Sequence, residues 1–89
     1  MKGNKTFTVN GKEASFRFDL NALERYTEHY NISMDELEPS LNKIGNIKYL
    51  IQCLSISGGN ELSLDEVGSM DISLLTELMQ MVKGSAGND

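Results

Sequence analysis

The stretch Ile47-Lys48-Tyr49-Leu50-Ile51-Gln52-Cys53-Leu54-Ser55-Ile56 decides how the rest of the chain must fold. At helical spacing its apolar residues cover most of the circumference and leave a narrow polar strip of Lys48, Gln52 and Ser55. A helix apolar nearly all round is a buried helix. Gly45-Asn46 before it and Gly58-Gly59 after it mark its ends, and the run is too short to span a bilayer. The other segments must therefore wrap it.

Upstream, Lys5 to Phe18 reads as a β-hairpin, because Asn10-Gly11 supplies the positive φ angles of a two-residue turn that matches strand twist. With that turn, Val9 faces Lys12, Phe7 faces Ala14 and Lys5 faces Phe16. Phe7, Val9, Ala14, Phe16 and Phe18 then share one face, and a one-residue slip would scatter them. Two strands alone are marginal in water, so the apolar face must lie on helices, or another chain must extend the ribbon.

Helices come next in the chain. Either Asp19 caps the first one or Asn21 does, with Glu24 returning as a capping box, and the helix runs to about Tyr30. Its expected inner face is Leu20, Leu23, Thr27 and Tyr30, with Ala22 and Tyr26 beside it and His29 outward. Ser33-Met34-Asp35-Glu36 is a second capping box, but Pro39 restricts the segment from Met34 to Lys43 to short turns, with Leu37, Leu41 and Ile44 directed inward. Ser63-Leu64-Asp65-Glu66 opens another short helix, and Asp71 caps a last one from Ile72 to Lys83. Residues 84–89 have the composition of a flexible tail. The expected architecture is one α+β domain over 1–83: an N-terminal hairpin and about four helices around a central buried helix.

The 89 residues bury roughly 60–65% of the surface of the unfolded chain, so oligomerisation would help stability. A net charge of −5 argues against a nucleic-acid footprint, which needs clustered Lys and Arg. Lys2, Lys5, Lys12, Arg17 and Arg25 crowd the first quarter and most acids lie beyond Asp35, a polarity that could steer a partner or a second copy. One cysteine forms no internal disulfide, and Cys53 inside an apolar helix behaves as a small hydrophobe. No apolar leader or membrane span is visible, which points to a cytoplasmic protein.

Chemistry-bearing clusters are sparse. His29 and Cys53 lie on a polar and an apolar helix face and lack partners at motif spacing, and four zinc ligands cannot be assembled from one His and one Cys. Asp35, Glu36 and Glu38 read as an acidic first turn that suits the helix dipole, and Asp65-Glu66 lacks the spacing of a calcium loop. Gly58-Gly59-Asn60 has neither the Lys-Ser/Thr nor the preceding strand of a phosphate cradle and reads as a helix cap with a turn. The expectation is a protein without catalytic residues, cofactor or metal.

The last helix carries an apolar stripe of Ile72, Leu75, Met79 and Val82, widened by Leu74, Leu78 and Met81 beyond the roughly 100° that faces a core. Two readings stand: a helix wedged between two neighbours, or one with surface left over for a partner. On the second reading, Leu74, Leu78 and Met81 form the partner-binding surface, and flexible Met70, Met79 and Met81 help it adapt. The strand edge at Lys5, Phe7 and Val9 is the expected place for self-association.

The order of these segments resembles a known family. Phe7-Thr8-Val9-Asn10-Gly11-Lys12-Glu13 followed by Phe16-Arg17-Phe18-Asp19-Leu20-Asn21-Ala22-Leu23 is similar to the opening of the small tail assembly chaperones of long-tailed bacteriophages and prophages. Ser33-Met34-Asp35-Glu36-Leu37, Gly45-Asn46-Ile47-Lys48-Tyr49-Leu50 and Leu62-Ser63-Leu64-Asp65-Glu66-Val67 fit the later pattern, so the likeness spans about Lys5 to Val82. The resemblance implies a non-enzymatic, oligomeric chaperone in the bacterial host cytoplasm. Such proteins coat the tape measure protein and leave as tail tube protein subunits polymerise around it, and many are also made as a longer frameshifted product. The competing class is a small interaction adaptor or regulatory module. A more distant one is the acyl carrier proteins, whose Asp-Ser-Leu attachment motif Asp71-Ile72-Ser73-Leu74 approaches with the serine one residue late.

Overall fold

A computed structural model describes residues 4–87. Two antiparallel strands, β1 (Asn4–Val9) and β2 (Lys12–Arg17), are followed by α1 (Leu20–Tyr30), a 3-10 turn (Met34–Glu36), α2 (Leu37–Ser40), α3 (Ile44–Ser57), α4 (Leu64–Gly68) and α5 (Ile72–Gly87). The hairpin register is the expected one, Val9 opposite Lys12, Phe7 opposite Ala14 and Lys5 opposite Phe16. Asn10 at φ 54° and Gly11 at φ 82° make the turn. Val9, Ala14 and Phe16 are buried and Phe7 and Phe18 half-buried, all on one face.

The central helix α3 packs against β2, α1 and α4 and buries Leu50, Ile51, Cys53 and Leu54. Of the polar strip along it, Ser55 is fully buried. The segment after the helix doubles back over that strip. Gln52 Nε2 donates to the Leu62 carbonyl at 2.9 Å, and the Leu62 N–H donates to Ser55 Oγ at 3.4 Å. The polar strip thus serves as a template for the returning backbone, which must be paired once buried.

The same return docks the hairpin. Asn60 Oδ1 accepts from the Ser15 N–H at 2.9 Å, while Nδ2 donates to the carbonyls of Ser15 and Ser55, both at 2.8 Å. One amide therefore stands in for a third strand on the outer edge of β2 and ties it to α3. The contact is close enough to require glycine at 58, where an added Cβ would collide with the Ser15 carbonyl. Gly59, at φ 102°, turns the chain so that Asn60 can reach back.

Caps resolve the starts that spacing leaves open. Asp19, not Asn21, caps α1, accepting from the Ala22 N–H at 2.9 Å and from the Ser57 hydroxyl at 2.8 Å. Both later capping boxes form, at Ser33/Glu36 and Ser63/Glu66. Pro39 lies in the first turn of α2, where its missing N–H costs nothing. Tyr26 joins α1 to α2 through a 2.7 Å hydrogen bond with Ser40, whose carbonyl accepts from Asn46 of α3, also at 2.7 Å. The basic hairpin and acidic remainder meet inside one molecule, with Lys12 3.4 Å from Glu66.

Four expectations need correction. The central helix starts at Ile44, not Ile47, so Gly45 and Asn46 lie in its first turn instead of before it. In α1 the inner line is Ala22 and Tyr26, both fully buried, whereas Leu20 is 81% exposed. Ile44, expected to point inward, is 66% exposed. The last helix passes its expected end at Lys83 and continues to Gly87, so of the expected tail only 88–89 lie outside the described residues. Ser85 and Ala86 are compatible with a helix, and an isolated glycine costs only about 1 kcal/mol.

Asn60→Ala leaves the Ser15 backbone groups without partners and should cost about 2–3 kcal/mol in urea unfolding. Gly58→Ala should cost at least as much, whereas Gly45→Ala, with open space around it, should be stabilising by about 0.5–1 kcal/mol. For Asp19, burial favours the neutral acid, but the Ala22 and Ser57 hydrogen bonds and the Arg17 charge outweigh it and hold the pKa below its ordinary 3.8. A depressed carboxylate stabilises fully above its unfolded pKa and loses that contribution as pH falls through the folded one. The gap in stability between wild type and Asp19→Ala should therefore be constant above about pH 5 and shrink in chemical denaturation at about pH 2.

Candidate functional site

The surface expected to meet a partner is mostly inside the protein. Leu78 is fully buried, Met81 is 9% exposed and Leu74 is half-buried. These residues, with Val82, are the core-facing side of α5, so the wide apolar arc of that helix is rotated relative to the sequence reading. The stripe expected to face the core runs outward at its start, where Ile72 is 75% exposed and Leu75 half-buried. An arc wider than a core-facing stripe does not fix a helix's rotation; the neighbours do.

That rotation opens a groove. It lies between the first half of α3 and the start of α5, holds about 170 Å³, and is lined by Ile44, Ile47, Ile51, Met70, Ile72 and Leu75. Val67 and Gly68 of α4 complete the lining together with the oppositely charged Lys48 and Asp71. Lys48 lays its stem across Gly68, where an added Cβ would come 3.1 Å from Nζ. Ile44 and Ile72, 66% and 75% exposed, flank the groove and make it the candidate contact surface. A neighbouring crevice shares Ile47 and continues past Leu41 and Met79. The half-buried methionines Met70 and Met79 adapt their shape to an apolar guest without new polar demands. A second, shallower apolar patch on α1 joins Leu20 and Leu23 to Met34, which is 54% exposed.

The groove offers shape and apolar area and no reacting groups. Among the described residues, no set of three or more His, Cys, Asp and Glu side chains is placed to hold a metal ion. His29 is exposed and stacks on Tyr49 at 4.1 Å between ring centres, with Tyr30 edge-on at 4.6 Å. Cys53 is buried, and burial pushes its thiol up to about 11, so it is not a ready nucleophile. Glu36 and Glu66 are occupied by their own helix N-termini.

The residues expected to form a self-association edge turn their backbone groups toward β2. Lys5, Phe7 and Val9 are the residues whose backbone groups pair with β2 across the two-residue turn, and Val9 is buried. The groups pointing away from β2 belong to Thr6 and Thr8, both exposed. No helix among the described residues is long and apolar enough to cross a membrane.

No protein-family model, curated protein or solved structure matches the chain. The likeness to tail assembly chaperones therefore stands on the order and pattern of its own segments.

Core and groove separate cleanly under mutation. Leu78→Ala should cost about 2–5 kcal/mol, as expected for a fully buried leucine. Ile44→Glu combined with Ile72→Glu should shift stability by no more than about 1 kcal/mol, because each side chain is mostly in water already. Thermal unfolding of the two variants by circular dichroism distinguishes these outcomes.

Proposed function

We propose that this protein is a non-enzymatic chaperone that covers apolar helical faces of a long partner, the tape measure protein of a long-tailed phage or prophage. The observation that carries the reading is the exposed pair Ile44 and Ile72 flanking an apolar groove lined mainly by isoleucines, with Met70 among them, on an acidic protein. An amphipathic helix lays its apolar face into such a groove, with anchors three or four residues apart. The net charge of −5 would keep a coated, otherwise sticky polymer dispersed. The partner's identity rests on the resemblance in segment order; the groove supports helix capture in general. Release to the tail tube protein is consistent with a contact that is apolar and adaptable, lacking buried ion pairs.

The test is co-expression with a long helix-rich tape measure segment, reading the soluble fraction and the stoichiometry of the recovered complex. Wild type is expected to hold the segment in solution with many copies per chain, and Ile44→Glu/Ile72→Glu to lose that while keeping its own helicity. Full retention by the double variant would remove the groove from the proposal. Recovery of a single folded partner at one-to-one stoichiometry from induced host cells would instead favour an adaptor.

A further inference from the structure

The two edges of the hairpin are treated differently. On the outer edge of β2, the Ser15 N–H and carbonyl are both taken by Asn60. On the outer edge of β1, Thr6 and Thr8 are exposed, and among the described residues neither makes a backbone hydrogen bond outside the hairpin. Natural edges are usually blunted by proline, a bulge or several charges. Here β1 is regular over its whole length, carries no proline, and has Lys5 as its one charge.

We infer that β1 is an assembly edge that pairs antiparallel with β1 of a second copy, joining two hairpins into a four-stranded sheet. The occupant follows from the strand's own sequence. Antiparallel pairing across a two-fold axis must set outward-pointing residues against outward-pointing residues. With the axis at Thr6, each outward rung of β1 is used: Thr6 meets Thr6 of the second copy, and Thr8 meets residue 4. Lys5 then lies opposite Phe7 of the other copy, on the apolar face, and its stem covers a phenylalanine that the chain's own helices leave half-buried. An axis at Lys5 would oppose two lysines, and one at Phe7 would use fewer outward groups. On the neighbouring strand the basic charges have acidic partners, Lys12 with Glu66 and Arg17 3.7 Å from Asp19. Lys5 is then the charge left on the edge itself, and an axis at Thr6 keeps the two copies of it from facing one another.

Pairing through β1 does not depend on the partner or on the groove. Its test uses single cysteines in the full chain, where Cys53 is buried and slow to react. Facing residues in an antiparallel pair lie about 4.5–5.5 Å apart at Cα, within disulfide reach. Thr6→Cys should give a disulfide-linked dimer under mild oxidation, and Thr8→Cys should remain largely uncrosslinked because its facing residue is position 4. Thr6→Pro removes an outward N–H that the hairpin itself does not use, and should raise the dimer dissociation constant at least about tenfold in sedimentation while leaving helicity unchanged. Crosslinking of Thr8→Cys as well as Thr6→Cys would overturn the register. A wild-type chain that sediments as a monomer throughout the micromolar range, or as a dimer insensitive to Thr6→Pro, would overturn the edge itself.

Discussion

The fold depends on the Asn60 side chain. A two-stranded ribbon buries little and leaves backbone groups open on both edges, so it needs a partner to stay in place. Asn60 supplies it, pairing with both backbone groups of Ser15 while holding the Ser55 carbonyl at the end of α3. The arrangement requires a close approach that Gly58 permits and a left-handed turn that Gly59 makes. With β2 fixed on α3, Phe16 and Leu54 are fully buried, and the remaining helices have a floor to pack on.

Much of this is legible in the residues. Asn10-Gly11 with alternating apolar positions sets the hairpin register, and a run apolar nearly all round sets the central helix. Ser-x-x-Glu patterns locate two helix starts. These signals are local, so spacing alone carries them. Asn60 reads only as part of a turn after a glycine pair, because a lone asparagine there gives no hint of the partner it reaches across 45 positions of sequence. The role of Ser55 is hidden for a related reason. Its place in the polar strip does not show the partners it has inside the protein, Gln52 and Leu62.

Helix rotation is harder to read. In α1 and α5 the apolar positions span an arc wide enough for more than one inward line, and tertiary contacts choose among them. Tyr26 is drawn inward by its bond to Ser40, which turns Leu20 out toward Met34. Leu78 and Val82 fill the core, which turns Ile72 out toward Ile44. The candidate contact surface arises from that choice, so periodicity does not locate it. The residues do show that α5 has more apolar width than a core-facing stripe requires; they do not show which side is spare.

The groove and the β1 edge draw on different residues. The groove uses the first half of α3, at Ile44, Ile47 and Ile51, whereas the hairpin is held at its last turn, beside Gly58. At 1.5 Å per residue the ends of α3 are about 20 Å apart, and the hairpin turn also reaches α4 beside the groove, through Asn10 with Ser69 and Lys12 with Glu66. A two-fold dimer would then present two apolar grooves in fixed relation, and a long amphipathic helix touching one is held near the other. Linked weak sites gain apparent affinity from proximity without any new contact. A small core that leaves isoleucines exposed is thereby compatible with capture that is firm on a long partner and weak on a short one.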